Sequence, residues 1–148
     1  MKQLADGLYL LRGFPPNAIN VYLLHDVLID VGTRQAEGRI MRQIRGRTVT
    51  AHALTHAHPD HQGASHAICQ RLDIPLWCGH GDVLNGMNVM TGIRGLQEPP
   101  AVFTPDPARN RQSARRLAAL EPQLVCFGHG PPLRDPQALQ DFISQMPD

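Results

Sequence analysis

Residues 56 to 61 read His56-Ala57-His58-Pro59-Asp60-His61, which places four metal-capable side chains within six positions. Imidazole nitrogens and carboxylate oxygens suit zinc and similar borderline divalent ions. An apolar, β-prone run, Val49-Thr50-Ala51-His52-Ala53-Leu54-Thr55, leads directly into them. In an extended segment alternate residues share a face, so His56 and His58 can point to one ion. Pro59 cannot continue a strand ladder and predicts a turn. Asp60 and His61 then follow the turn and can face a second ion beside the first. The competing interpretation is a histidine-rich surface turn that holds no metal. H-x-H alone is common, whereas H-x-H-x-D-H at the end of a strand is rare.

The elements that must position these residues can be traced on both sides. Gly7–Arg12, Ile19–Leu24 and Val27–Val31 read as strands, and the short His25-Asp26 link is of hairpin length. Arg34–Arg45 reads as a helix with Ile40, Met41 and Ile44 on one stripe. Val49–Thr55 is the strand that carries the motif, and Gln62–Leu72 a helix with Ala64, Ala67, Ile68 and Leu72 inward. Ile74–Trp77 is a short strand with Trp77 expected in the core. Gly79–Pro100 has little periodicity and reads as a long loop anchored by Val83-Leu84 and Val89-Met90. Pro105-Asp106-Pro107 opens a helix to Leu120, buried along Leu117 and Leu120. Leu124–Phe127 reads as a strand that hands over His129, with Cys126 a packing residue. Asp135-Pro136 starts a last helix through Gln145, with Leu139, Phe142 and Ile143 inward. This alternation is that of a mixed α/β layered protein, expected as one domain over 1–148.

The hexapeptide resembles the hallmark of the metallo-β-lactamase superfamily. Gly81-Asp82 is similar to that family's strand-end Gly-Asp, and Phe127-Gly128-His129-Gly130-Pro131 to its late Gly-His loop. Asn20-Val21-Tyr22-Leu23-Leu24 and Val27-Leu28-Ile29-Asp30-Val31-Gly32 look like its opening strands. The similarity covers nearly the whole chain in the expected order. It implies an αββα sandwich, here shortened in the middle, with two divalent ions. Zinc is the expected metal, with iron or manganese as alternatives. By the resemblance, His56 and His58 bind the first ion, Asp60, His61 and His129 bind the second, and Asp82 bridges. Asp60 also takes the family's catalytic role of orienting the nucleophile or returning a proton. The family's third histidine for the first ion has no counterpart, and several dozen residues are missing before Gly81. His80 is the residue left at that junction, either a replacement ligand or an unrelated loop histidine. Missing strands leave unpaired edges, which imply a homodimer.

Each assignment has a structural competitor. His61 could cap the following helix, and Asp82 could be a turn aspartate. His66 reads as a surface residue, His25 as a solvent-facing hairpin residue. His52 reads as a second-layer hydrogen-bonding partner to the ligands.

Bulk properties narrow the function. The 148 residues carry a formal charge of +1, and no basic stripe is present to attract nucleic acid or an anionic membrane. Cys69, Cys78 and Cys126 are an odd number without C-x-x-C spacing, which fits thiols in a reducing compartment. The N-terminus meets charge and glycine too early for a signal peptide, and no run approaches the roughly 20 apolar residues of a membrane span. A cytoplasmic location is expected. No G-x-S-x-G elbow is present, which argues against an α/β-hydrolase. Two ions with a shared water make hydroxide available near neutral pH. The expected activity is hydrolysis of a small ester, thioester or lactone. The alternatives are a metal-binding but catalytically weak shortened relative, and an oxygen-handling di-iron protein.

Overall fold

The computed structural model describes residues 1–78, 96, 98 and 106–147. The expected loop over Gly79–Pro100, with His80 and Asp82, lies outside the described residues except at 96 and 98. Two compact units are present, Met1–Thr91 with Gly128–Gly130, and Gly92–Phe127 with Pro131–Asp148.

In the first unit, β1 (Lys2–Ala5), β2 (Leu8–Leu10), β3 (Tyr22–Leu24), β4 (Val27–Ile29), β5 (Ala51–Ala53) and β6 (Leu76–Trp77) form one sheet in sequence order. The first four strands are an antiparallel meander, and β4, β5 and β6 run parallel. Parallel neighbours need crossover connections. A 3-10 turn (Arg34–Ala36) with α1 (Glu37–Gln43) supplies the first. Helices α2 (Pro59–Gln62) and α3 (Ser65–Leu72) supply the second. The mixed α/β expectation therefore holds.

The core is aliphatic. Leu23 and Leu28 from the sheet and Val31 just beyond β4 meet Ile40 of α1 and Ile68 of α3, all five fully buried. Each such side chain contributes about 1.5–3 kcal/mol relative to exposure. Most of the inward stripe expected for this helix is observed: Ala64, just before α3, and Ile68 are buried and Leu72 packs against the cluster, while Ala67 is half-buried.

Several expectations need correction. Lys2–Ala5 is a strand that the polar character of its exposed positions concealed. Pro59 does not turn the chain away but opens α2, because a proline in the first helical turn forgoes only an N–H that would be unsatisfied anyway. The helix expected over Gln62–Leu72 is consequently two helices, broken at Gly63-Ala64. Trp77 is 64% exposed rather than core, since β6 is the last strand of the described sheet. His52 is fully buried but bonds Leu28 O and Ser65 Oγ at 3.0 and 2.9 Å, so it braces α3 against the sheet and bonds none of the motif's histidines.

The second unit contains α4 (Pro107–Ala118) and α5 (Pro136–Ser144). Both start at an aspartate whose side chain accepts backbone N–H groups, Asp106 from Arg109 and Asp135 from Gln137 and Ala138. Gln140 Nε2 donates to Ala118 O at 2.8 Å and ties the two helices together. Ala118 is the buried residue of α4, whereas Leu117 and Leu120 are exposed, contrary to expectation. Leu124–Phe127 is no strand; it contributes only an isolated antiparallel bridge between Val125 and Leu133. Cys126 is exposed rather than packed.

Candidate metal centre

The site lies in the first unit, where parallel strands β4 and β5 end. Beyond β5 the chain passes through Leu54 and Thr55 to His56. A residue before proline is driven out of the helical region, and His58 is extended at φ −83° and ψ 149°. His61 N and Gln62 N both donate to His58 O at 2.9 Å, closing the single turn of α2. Gln62 Nε2 reaches back to Ala57 O at 3.0 Å. His61 O accepts Val31 N at 2.8 Å, which fastens α2 to the end of β4. The compact turn therefore points Asp60 and His61 inward, and both are buried.

The third contributor is the turn Gly128–Gly130. Asn20 N donates to Gly128 O at 2.8 Å, Gly130 N to Asn17 O at 2.8 Å, and Asn20 Nδ2 to Gly130 O at 2.6 Å. Gly128 is required by close approach: a Cβ there would lie 2.6 Å from His61 Cε1. With that gap closed, His129 Nε2 lies 3.0 Å from His61 Nε2 and 3.4 Å from Asp60 Oδ2. The third side of the triangle, His61 Nε2 to Asp60 Oδ2, is 3.5 Å. Among the described residues these are the three whose donor atoms all fall within 4.8 Å of one another.

This triangle fits a divalent ion. Tetrahedral zinc bound at roughly 2.0–2.2 Å separates its ligand atoms by about 3.3–3.5 Å. The hydrogen bonds behind the ligands point the same way. His61 Nδ1 donates to Asp30 Oδ2 at 2.7 Å, and His129 Nδ1 donates to Ala18 O at 2.5 Å. A carboxylate and a carbonyl can only accept. Each Nδ1 therefore carries the hydrogen, and in the neutral rings each Nε2 presents a lone pair. Two lone pairs facing at 3.0 Å repel unless a proton or a metal ion lies between them. Metal-bound histidines use their other nitrogen in this way.

His56 and His58 are beside the triangle but outside it. The His56 ring lies 4.1 Å from that of His61 and 4.3 Å from that of His58. Burial, then the neighbouring His61 and His58, push the His56 imidazole from its ordinary 6.5 down to about 4, so it is neutral and ready to ligate at pH 7. His66 and His25 are exposed, as expected. His80 and Asp82 fall outside the described residues.

Asp30, Thr55 and Asn20 belong to the site although ligand spacing does not single them out. Asp30 follows β4, is 1% exposed and adopts φ +53°, a region aspartate tolerates better than most residues. Its Oδ1 accepts Thr55 N at 2.9 Å and its Oδ2 accepts Thr55 Oγ1 at 2.8 Å. Burial works against the carboxylate, but His61 and Thr55 together hold it below its usual range. The available signal was an acidic residue closing an apolar strand next to the motif strand.

These shifts predict an acid response of the metal-free protein. Burial also lowers His52, so the unfolded chain takes up protons on both histidines before the folded one does. Stability is expected to fall as pH drops from 6.5 towards 4. The Asp30 contribution is present above 3.8 and disappears only as pH falls further, through its lowered folded value. Urea midpoints of chelated protein at about pH 7 and about pH 5 check this, the second being lower.

Residues 14–96 match the sequence model of the Metallo-beta-lactamase superfamily. A motif mutant of the metallo-beta-lactamase from Cronobacter sakazakii (Enterobacter sakazakii) is similar in structure at 21% identity and a TM-score of 0.49. The alignment covers 55% of this chain and 34% of that one, so the present chain spans about a third of that protein's length. Comparison with curated proteins gives no match. Since the match takes in more than half of the sequence, and the mixed α/β sheet agrees with it, this chain belongs to the metallo-β-lactamase superfamily.

Proposed function

We propose that this chain is a metal-dependent hydrolase whose centre includes Asp60, His61 and His129, with His56 and His58 beside them as ligands of a second ion. The observation that carries the reading is the pair of Nε2 atoms 3.0 Å apart, each on a ring whose Nδ1 is already committed to an acceptor. The mixed nitrogen and oxygen donor set favours zinc. The family resemblance adds Asp82 to the proposed ligand set and leaves His80 as either a further ligand or an unrelated histidine; both lie outside the described residues.

A divalent ion held here supplies Lewis acidity and lowers the pKa of a water to near neutrality. The chain's own groups do the rest. Asp30 and Ala18 O fix the tautomers of His61 and His129, so Nε2 is the atom each neutral ring would offer to the ion. In this proposal Asp60, 12% exposed at its side chain, orients the attacking water, accepts its proton and returns that proton to the leaving atom. A formal charge of +1 and the lack of a basic stripe favour a small ester, thioester or lactone over nucleic acid. Among the described residues β6 is the last strand of its sheet, with Leu76 and Trp77 exposed, which supports the homodimer as part of this proposal.

Turnover of a chromogenic ester or thioester by the zinc-loaded protein tests the reading. Chelation is expected to abolish it, zinc to restore it, and His58→Ala to lower it by about 100-fold or more. Turnover that survives exhaustive chelation would remove the proposal.

A further inference from the structure

Thr55 stands between the two proposed halves of the centre. Its Oγ1 lies 2.8 Å from Asp30 Oδ2 and 2.9 Å from His56 Nδ1. The same Asp30 oxygen accepts His61 Nδ1 at 2.7 Å. A threonine hydroxyl has one hydrogen and two lone pairs. An aspartate at neutral pH is an ionised carboxylate that can only accept, and three donors converge on Asp30: Thr55 N, Thr55 Oγ1 and His61 Nδ1. Turning the hydroxyl hydrogen towards His56 would leave two oxygen lone-pair sets facing each other at 2.8 Å. The hydrogen therefore goes to Asp30, and Thr55 Oγ1 accepts from His56 Nδ1. That leaves the lone pair of His56 on Nε2. The direct Asp30 bonds are charge-assisted, so the direction of the whole chain is set by the carboxylate.

We propose that Thr55 is a positioning residue that extends the hold of Asp30 to His56, so that one buried carboxylate sets the tautomers of a histidine on each side of the centre. This rests on the metal-centre reading above. His61 is reached directly and His56 through one hydroxyl. The Thr55 backbone N–H independently bonds Asp30 Oδ1 at 2.9 Å, so a side-chain change at 55 breaks the link to His56 while the backbone tie to Asp30 remains. Thr55 is exposed, and a substitution there leaves the aliphatic core untouched.

The test uses the full chain with zinc as the probe. Thr55→Val keeps the shape and the backbone bond but removes the hydroxyl. It is expected to weaken by about 10-fold the zinc that His58→Ala also weakens, and to leave the other zinc unchanged. Thr55→Ser restores wild-type binding. Asp30→Asn weakens both, because both histidines depend on that carboxylate. Nitrogen-15 NMR of the zinc-loaded protein gives a readout that a purely architectural role would not move. The hydrogen of His56 sits on Nδ1 in the wild type and in Thr55→Ser, and that assignment is lost in Thr55→Val. Zinc binding by Thr55→Val that matches the wild type, or a wild-type His56 with its hydrogen on Nε2, overturns this proposal alone. A single zinc that is indifferent to His58→Ala overturns it as well. A wild type that binds no zinc overturns the metal-centre reading and takes this proposal with it.

Discussion

His61→Ala is expected to remove tight metal binding and hydrolysis together, and to destabilise the fold by about 3 kcal/mol. The side chain is fully buried and meets three parts of the site at once. It bonds Asp30 through Nδ1 and faces Asp60 and His129 through Nε2. Truncation takes away the central corner of the donor triangle. It also deprives a buried carboxylate of one hydrogen-bond donor, and a hydrogen bond to a charged group is worth roughly 1.5–3 kcal/mol. The cavity left under Gly128 adds to that cost. Metal content after gel filtration and a urea titration of the metal-free protein measure the two effects separately. A variant that retains stoichiometric zinc would place the centre elsewhere.

Gly63→Ala should be nearly as damaging, although local propensity argues the other way. Gly63 is in the right-handed helical region at φ −55° and ψ −34°, where alanine is intrinsically better by about 1 kcal/mol. Space decides against it. A Cβ at this position would lie 2.5 Å from Arg34 N and 2.7 Å from both Thr33 C and Pro59 O. All three are backbone atoms, so no rotamer change relieves the collision. Either α2 or the Thr33-Arg34 turn has to move, and overpacking of this kind costs about 3 kcal/mol. Moving α2 shifts Asp60 and His61, so zinc affinity is expected to fall with stability. Thermal unfolding and zinc titration read both; an unchanged or raised melting temperature would show that the junction has room.

The proposed ligands could be read from the sequence because they sit in a short, unusual hexapeptide that follows an apolar strand. The late Gly128-His129 turn was legible for a similar reason, since glycine beside histidine after Val125 is a compact signal. The support behind the ligands was not legible. Asp30 lies 31 positions from His61 and 25 from Thr55, and nothing in linear spacing pairs them. Their meeting depends on β4 and β5 running parallel, with Ile29 opposite Ala53, which brings both strand ends to one edge. Asn20 is further still from the turn it braces, 110 positions from Gly130.

Secondary structure divides along the same line. The α3 stripe was readable because its burial follows a 3.6-residue period against one sheet face. The burial of Trp77, Leu117 and Leu120 was misjudged because hydrophobicity states a preference, and only neighbours decide whether it is met. By itself the sequence determined the donor atoms, the strand that delivers them and the mixed α/β class, since these follow from residue type and local period. Tertiary structure alone decided which donors converge. Asp60, His61 and His129 close to within 3.5 Å because a proline-started turn, a glycine without a Cβ and a buried aspartate act from three distant stretches of chain. Those contacts are long-range packing, which local residue patterns do not encode.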